Sequence, residues 1–111
     1  MKSKKAISES DFSSQIEDLL KLFQWRWTHF RVAWSAKGYR TPIKGNKGFV
    51  DYVAVRKGRC LFIELKSDSG QLTTDQVEWG RELKAIAQNS LGVEYHLWRP
   101  SQFNEALECL R

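Results

Sequence analysis

Residues 48–76 read GFVDYVAVRKGRCLFIELKSDSGQLTTDQ. Two apolar, β-rich segments, Phe49–Val55 and Arg59–Lys66, flank the basic turn Arg56-Lys57-Gly58-Arg59. That is the pattern of a β-hairpin. Closure by an even-numbered loop predicts one register, with Val55 opposite Cys60, Val53 opposite Phe62 and Asp51 opposite Glu64. An odd-numbered loop would break this pairing, because a one-residue slip moves every side chain to the other face.

In the even register two carboxylates face each other within an otherwise apolar hairpin. Opposed Cβ atoms lie ~5 Å apart, and at an effective dielectric of ~20 two like charges cost ~3 kcal/mol. A favourable cross-strand pair returns only ~0.2–1 kcal/mol. A divalent cation between the carboxylates reverses the sign of their interaction. Lys66, two positions beyond Glu64, projects from the same strand face. The hairpin is therefore expected to present two acidic oxygen ligands and an ammonium group on one surface.

At 111 residues the chain is expected to form one domain, burying roughly 60–70% of the surface its unfolded form exposes. A content of 41% hydrophobic and 28% charged residues matches a soluble globular protein. No apolar run approaches the ~20 residues of a membrane span, and no apolar segment follows the Lys-rich start Met1–Lys5. A cytoplasmic protein with no membrane partner is expected. Cys60 and Cys109 lack a CxxC spacing and are read as free thiols rather than metal ligands. His29 and His96 are likewise unclustered in sequence and read as structural.

The net charge of +5 suits a polyanionic partner. Between Lys37 and Arg59 the basic residues are Lys37, Arg40, Lys44, Lys47, Arg56, Lys57 and Arg59, and the only acid is Asp51. This stretch leads directly into the carboxylate hairpin. Nucleic-acid contact is therefore the expectation, against the alternative of a solvated loop face.

Residues 1–9 read as a basic, flexible arm preceding a single domain over 10–111. Ser8, Ser10 or Asp11 can cap a helix reaching Phe23 or Gln24, with Phe12, Ile16, Leu19, Leu20 and Phe23 on its buried face. Glu17 lies beside that stripe and, alone, is a solvated carboxylate. Residues 25–34 (WRWTHFRVAW) alternate as a strand, with Trp25, Trp27, His29 and Arg31 on one face. Residues 35–47, rich in Gly and basic residues, read as an exposed loop. After the hairpin, Asp68-Ser69-Gly70 turns into a helix begun at Thr73, whose Thr73-x-x-Gln76 spacing is that of a capping box. That helix runs to about Gln88. Val93–Arg99 forms another strand, and Pro100 starts a short terminal helix packing Phe103, Ala106, Leu107 and Leu110. The fold class is α/β, in the order α-β-β-β-α-β-α, with a central mixed four-stranded sheet flanked by helices.

Asp51 followed, across the hairpin, by Glu64-Leu65-Lys66 resembles the core of PD-(D/E)XK nucleases. The remaining text is similar to the VRR-NUC branch. It comprises Glu17 in the first helix, His29 in the first strand, GFVD, GRCLFIELKS, the G-x-L-T-x-x-Q run over Gly70–Gln76 and WRPS at Trp98–Ser101. The similarity spans roughly Ser10 to Phe103. Val50 stands where the family usually has Pro, and it too favours extended backbone.

The resemblance implies a restriction-endonuclease-like core and a metal-dependent endodeoxyribonuclease. Asp51, Glu64 and the Leu65 carbonyl would ligate Mg²⁺ (or Mn²⁺), an all-oxygen set that hard cations prefer. Lys66 would polarise the attacking water, and Glu17 would contribute to the same site. Gln76 would orient Lys66 or the substrate, in competition with its capping role. Stand-alone bacterial and phage members resemble Holliday-junction resolvases acting as homodimers on branched DNA. The alternatives are a catalytically silent DNA-binding module of the same fold, and a nuclease for RNA or single strands.

Overall fold

A computed structural model describes residues 6–30, 33–35, 38–40 and 44–111, without the side chains of 33–35 and 38–40. The segment Met1–Lys5 of the expected basic arm, and Lys37, lie outside the described residues.

Helix α1 spans Glu9–Leu22, and the Ser8 hydroxyl accepts the Asp11 N–H at 3.0 Å to cap it. The helix thus starts inside the residues assigned to the arm. Phe12, Ile16, Leu19 and Leu20 are its buried face. Strand β1 covers only Arg26–His29, and β2 (Ala33–Ser35) and β3 (Gly38–Arg40) form a separate antiparallel hairpin. The single strand expected over 25–34 is therefore divided, and part of the expected loop is a strand. The reason is a limited partner. β1 pairs Arg26 with Val55 through His29 with Tyr52, and the ladder ends where the Phe30 N–H donates to the Asp51 carbonyl. Beyond it, the extended backbone finds its partner locally.

Strands β4 (Tyr52–Arg56) and β5 (Arg59–Leu65) form the expected hairpin in the expected register, Val53 opposite Phe62 and Val55 opposite Cys60. Lys57 and Gly58, at φ +49° and +81°, close it as a two-residue turn. Both central residues at positive φ match the right-handed twist of the strands. Strand β6 (Val93–Trp98) joins β5 in parallel, from Cys60 beside Val93 to Leu65 beside Trp98. The mixed sheet has the order β1-β4-β5-β6.

The period-two alternation sorts the sheet's two faces. Tyr52, Ala54, Leu61, Ile63, Leu65 and Trp98 form the main core with α1 and with α3, which spans Phe103–Leu110 after a single tight turn at Pro100–Gln102. Helix α2 (Thr74–Asn89) covers the other face. There a Cβ at Gly80 would meet the Tyr95 hydroxyl at 2.7 Å, and Trp79 packs edge-on against Phe49. Among the described residues no helix is long and apolar enough to cross a membrane.

Candidate functional site

The α2-facing side of the hairpin carries the carboxylates. Asp51 sits one residue before β4, and its N–H donates to the Ile63 carbonyl at 3.0 Å. The antiparallel register that sets Tyr52 opposite Ile63 sets Asp51 opposite Glu64. Glu64 is only 2% exposed and is the one buried charged residue among the described residues. Its neighbours Ile63 and Leu65 point into the main core, so alternation turns Glu64 toward Asp51. Burial, then the hydrogen bond and charge of Asp51, hold the Glu64 carboxyl well above the usual carboxylate range. Lys66 opposes that shift by its charge.

The remaining geometry steadies this pair. The Leu65 N–H donates to Asp51 Oδ2 at 2.8 Å, which fixes the aspartate rotamer. Gln76 serves two roles at once. Its Oε1 accepts the Thr73 N–H at 2.9 Å while the Thr73 hydroxyl accepts the Gln76 N–H, completing the capping box. Its Nε2 lies 3.5 Å from Glu64 Oε1, the outer edge of hydrogen-bond range. Capping and site contact, competing on sequence, are therefore compatible, because the amide offers an acceptor to one and a donor to the other. The Lys66 N–H donates to the Trp98 carbonyl at 3.1 Å, which ties the end of β5 to β6.

The loop before Asp51 is pinned onto α2. Trp79 Nε1 donates to the Lys47 carbonyl at 3.0 Å, and Phe49 packs among Phe30, Phe62 and Trp79. The loop after Lys66 is clamped by a residue that sequence reasoning did not assign. Arg99 Nη1 donates to the Ser67 carbonyl at 2.6 Å and the Gly70 carbonyl at 2.7 Å. The WRPS stretch was the only signal for it. Arg99→Ala is expected to leave both carbonyls without a charged donor and to loosen the turn behind Lys66. Hydrogen exchange should rise in residues 67–70 with the core protection unchanged. An unchanged exchange rate there would remove Arg99 from the support of Lys66.

Glu17 is placed differently from the hairpin carboxylates. It accepts the Tyr52 hydroxyl hydrogen bond and lies 3.4 Å from His29 Nδ1, and the His29 ring stacks on Tyr52 at 4.2 Å. Burial first, then Glu17, pushes the Tyr52 hydroxyl pKa up. This cluster lies on the α1 face, whereas alternation sends Asp51 to the α2 face. Glu9, at the start of α1, is the first-helix acid whose charge acts on Glu64. The sequence gives Glu9 no mark beyond its place in the first turn.

The basic residues divide into two groups. Lys44 is exposed, and the Lys47 side chain is 86% exposed with Asp75 at 3.8 Å. Lys57 is exposed at the hairpin tip. Arg56 and Arg59 are engaged within the protein, both over the Trp25 ring. Arg56 donates to the Phe23 carbonyl at 3.0 Å, and Arg59 forms a two-pronged pair with Glu94 at 2.7 and 2.9 Å. They also stand about 17 Å from the carboxylates along the strand, at ~3.3 Å per residue. Arg40 lies in β3, its side chain outside the description.

The donor set fits a hard divalent cation. It offers two opposed carboxylates, one of them buried, with the Leu65 backbone between Glu64 and Lys66. Apart from their contact with each other, one backbone N–H and one distant amide address their oxygens among the described hydrogen bonds. No model of a known protein family matches the chain, and no curated protein matches it.

Proposed function

We propose that this chain is a Mg²⁺- or Mn²⁺-dependent endodeoxyribonuclease hydrolysing DNA phosphodiester bonds. The proposal extends to branched DNA such as a Holliday junction as substrate, to a homodimer, and to the cytoplasm of a bacterial cell or phage-infected host. The observation that carries the catalytic reading is the opposition of Asp51 to the buried Glu64, with Lys66 at the end of the same strand. A like-charge pair in a dry position is a poor structural choice and a good cation site. Branch selectivity and the dimer draw on the family resemblance alone.

When bound, the cation supplies charge neutralisation on the phosphate and lowers the pKa of a coordinated water. Asp51, Glu64 and the Leu65 carbonyl would hold it. The Leu65 N–H keeps Asp51 in its rotamer, and Gln76 Nε2 steadies Glu64. The Lys66 ammonium, beside the pair, orients the attacking water and stabilises the charge that builds on the phosphoryl oxygens. Lys44 and Lys47, on the loop leading to Asp51, contact backbone phosphates. Lys44→Ala and Lys47→Ala are each expected to weaken DNA binding and to reduce the slope of log K against log salt by about 0.9 per lost contact. An unchanged slope in both variants would return these lysines to a solvated face.

The deciding experiment is cleavage of a labelled four-way junction beside linear duplex, flap and single-stranded DNA, and RNA. Each substrate is incubated with Mg²⁺, Mn²⁺ or EDTA. Metal-dependent, symmetric nicking of the junction is the expected result. Binding without cleavage under every metal condition would instead identify a silent DNA-binding module.

A further inference from the structure

Helix α2 sorts its charges onto two flanks. Asp75, Glu78 and Glu82 lie beside Asn46 and Lys47 on one side. On the other, toward β6, the last strand of the sheet, Arg81 and Lys84 border a groove of about 480 Å³. Leu72, Val77 and Leu97 give it an apolar floor, Tyr95 stands among them, and its lining holds no acid. Among the described residues neither Arg81 nor Lys84 enters an ion pair. Arg56, Arg59 and Arg99, by contrast, are drawn into contacts within the protein.

The groove starts beside the carboxylate pair. Leu97 is the ladder partner of Glu64 and shares its α2-facing side, one strand spacing of about 4.8 Å away. Tyr95, two residues back on β6, lies under Gly80, where a Cβ would come 2.7 Å from its hydroxyl. Burial, followed by the charges of Glu64 and Asp51, pushes the Tyr95 hydroxyl pKa up, so the field of the site reaches this floor. From Val77 to Gln88 the groove follows α2 for about 16 Å at ~1.5 Å per residue. A stacked strand rises about 3.4 Å per nucleotide, so the length suits up to about five nucleotides.

We propose that this groove binds an unpaired DNA strand beside the scissile phosphate, its phosphates against Arg81 and Lys84 and its bases on the apolar floor. The inference rests on the nuclease reading and specifies, within branched DNA, an unpaired arm next to the cut. Every base has a face that an apolar surface can cover, and pairing within a duplex hides those faces. An apolar floor beneath a cationic rim therefore selects unpaired nucleotides, whereas a duplex calls only for the rim. The Tyr95 hydroxyl adds one polar contact at the end nearest the site. The competing occupant is a second copy of this chain. Seated across a two-fold axis, it would set Arg81 and Lys84 near their own images. Two cations with no acid in the lining to answer them match a polyanion instead.

Fluorescence anisotropy of the full chain in EDTA compares a labelled blunt duplex with the same duplex carrying an oligo-dT arm, longer than the groove, at its 3′ or 5′ end. An arm of one polarity should tighten binding at least about tenfold. Arg81→Gln combined with Lys84→Gln should remove that gain and leave blunt-duplex binding at its wild-type value. The slope of log K against log salt for the armed duplex should fall by about 1.4 in this variant, ~0.7 for each lost single-strand contact. Val77→Glu, at a helix position 41% exposed, is the second variant and should remove the gain with both cations in place. No gain from either arm in the wild type, or a gain that survives both variants, would overturn the groove. So would a changed oligomeric state in the double variant with the gain intact, which would assign the groove to a second copy. Cleavage in Mg²⁺ is read separately. A gain from the arm with no substrate cleaved would sink the nuclease reading and keep the groove, and cleavage with no gain would do the reverse.

Discussion

Glu64→Gln is expected to reduce metal-dependent cleavage at least about a thousandfold while making the metal-free protein more stable. The loss follows from removing an anionic ligand, because a cation supplies several kcal/mol of transition-state charge stabilisation and each ~1.4 kcal/mol is tenfold in rate. The gain follows from the geometry. Glu64 is 2% exposed and faces Asp51, and burial, followed by that carboxylate, raises its pKa. A folded-state pKa above the unfolded value of ~4.3 means that the folded protein binds the proton more tightly. Its contribution to stability is whole below that value and is lost as pH rises toward the folded pKa. Glutamine keeps the shape and carries no charge, so its advantage in EDTA should grow from pH 4 to pH 8. Urea denaturation of both proteins at the two pH values measures it. A wild type more stable than Glu64→Gln at pH 8 in EDTA would show that the carboxylate pair is satisfied without a cation.

Gly48→Ala is expected to cripple the protein without touching any chemical group. Gly48 has φ +90°, and a Cβ there would lie 2.6 Å from the Asp75 Cβ and 2.8 Å from the Asp75 carbonyl carbon. Positive φ costs an L-residue roughly 1–2 kcal/mol, and overpacking against a helix backbone adds about 1–3 kcal/mol. Against a typical stability of about 5–15 kcal/mol this is a large fraction. The loop must lift from the first turn of α2, and Phe49 and Asp51 move with it. A 1 Å misplacement of a reacting group can cost about a hundredfold in rate. The melting temperature and the cleavage rate should therefore fall together. Wild-type values for both would show that the close approach of Gly48 to Asp75 does not hold the site.

Much of the frame is legible in the residues themselves. The turn Lys57-Gly58 and the β-rich segments on either side determine the hairpin register, because a slip by one would turn Leu61 and Ile63 away from the main core and bring Cys60, Phe62 and Glu64 into it. The stripe Phe12, Ile16, Leu19, Leu20 determines the buried face of α1. Thr73 with Gln76 determines where α2 starts. These are local effects, set by side-chain period and backbone capping. The opposition of Asp51 and Glu64 follows from the register and is legible for the same reason.

What the tertiary structure decided involves partners distant in the chain. β1 ends at His29 because β4 offers no further ladder, so continued alternation through residue 34 does not extend the strand. Arg56 and Arg59 belong to the basic stretch by sequence, but the packing of Trp25 and the C-terminal helix draws them inward. Glu17 meets Tyr52 and His29 only because α1 crosses the core-side face of the sheet. Cys109 and His96 look isolated in sequence, and parallel pairing of β6 followed by the return of α3 brings them together with Glu94. Periodicity reports which way a side chain faces along its own element, and only the packing of elements determines what stands opposite.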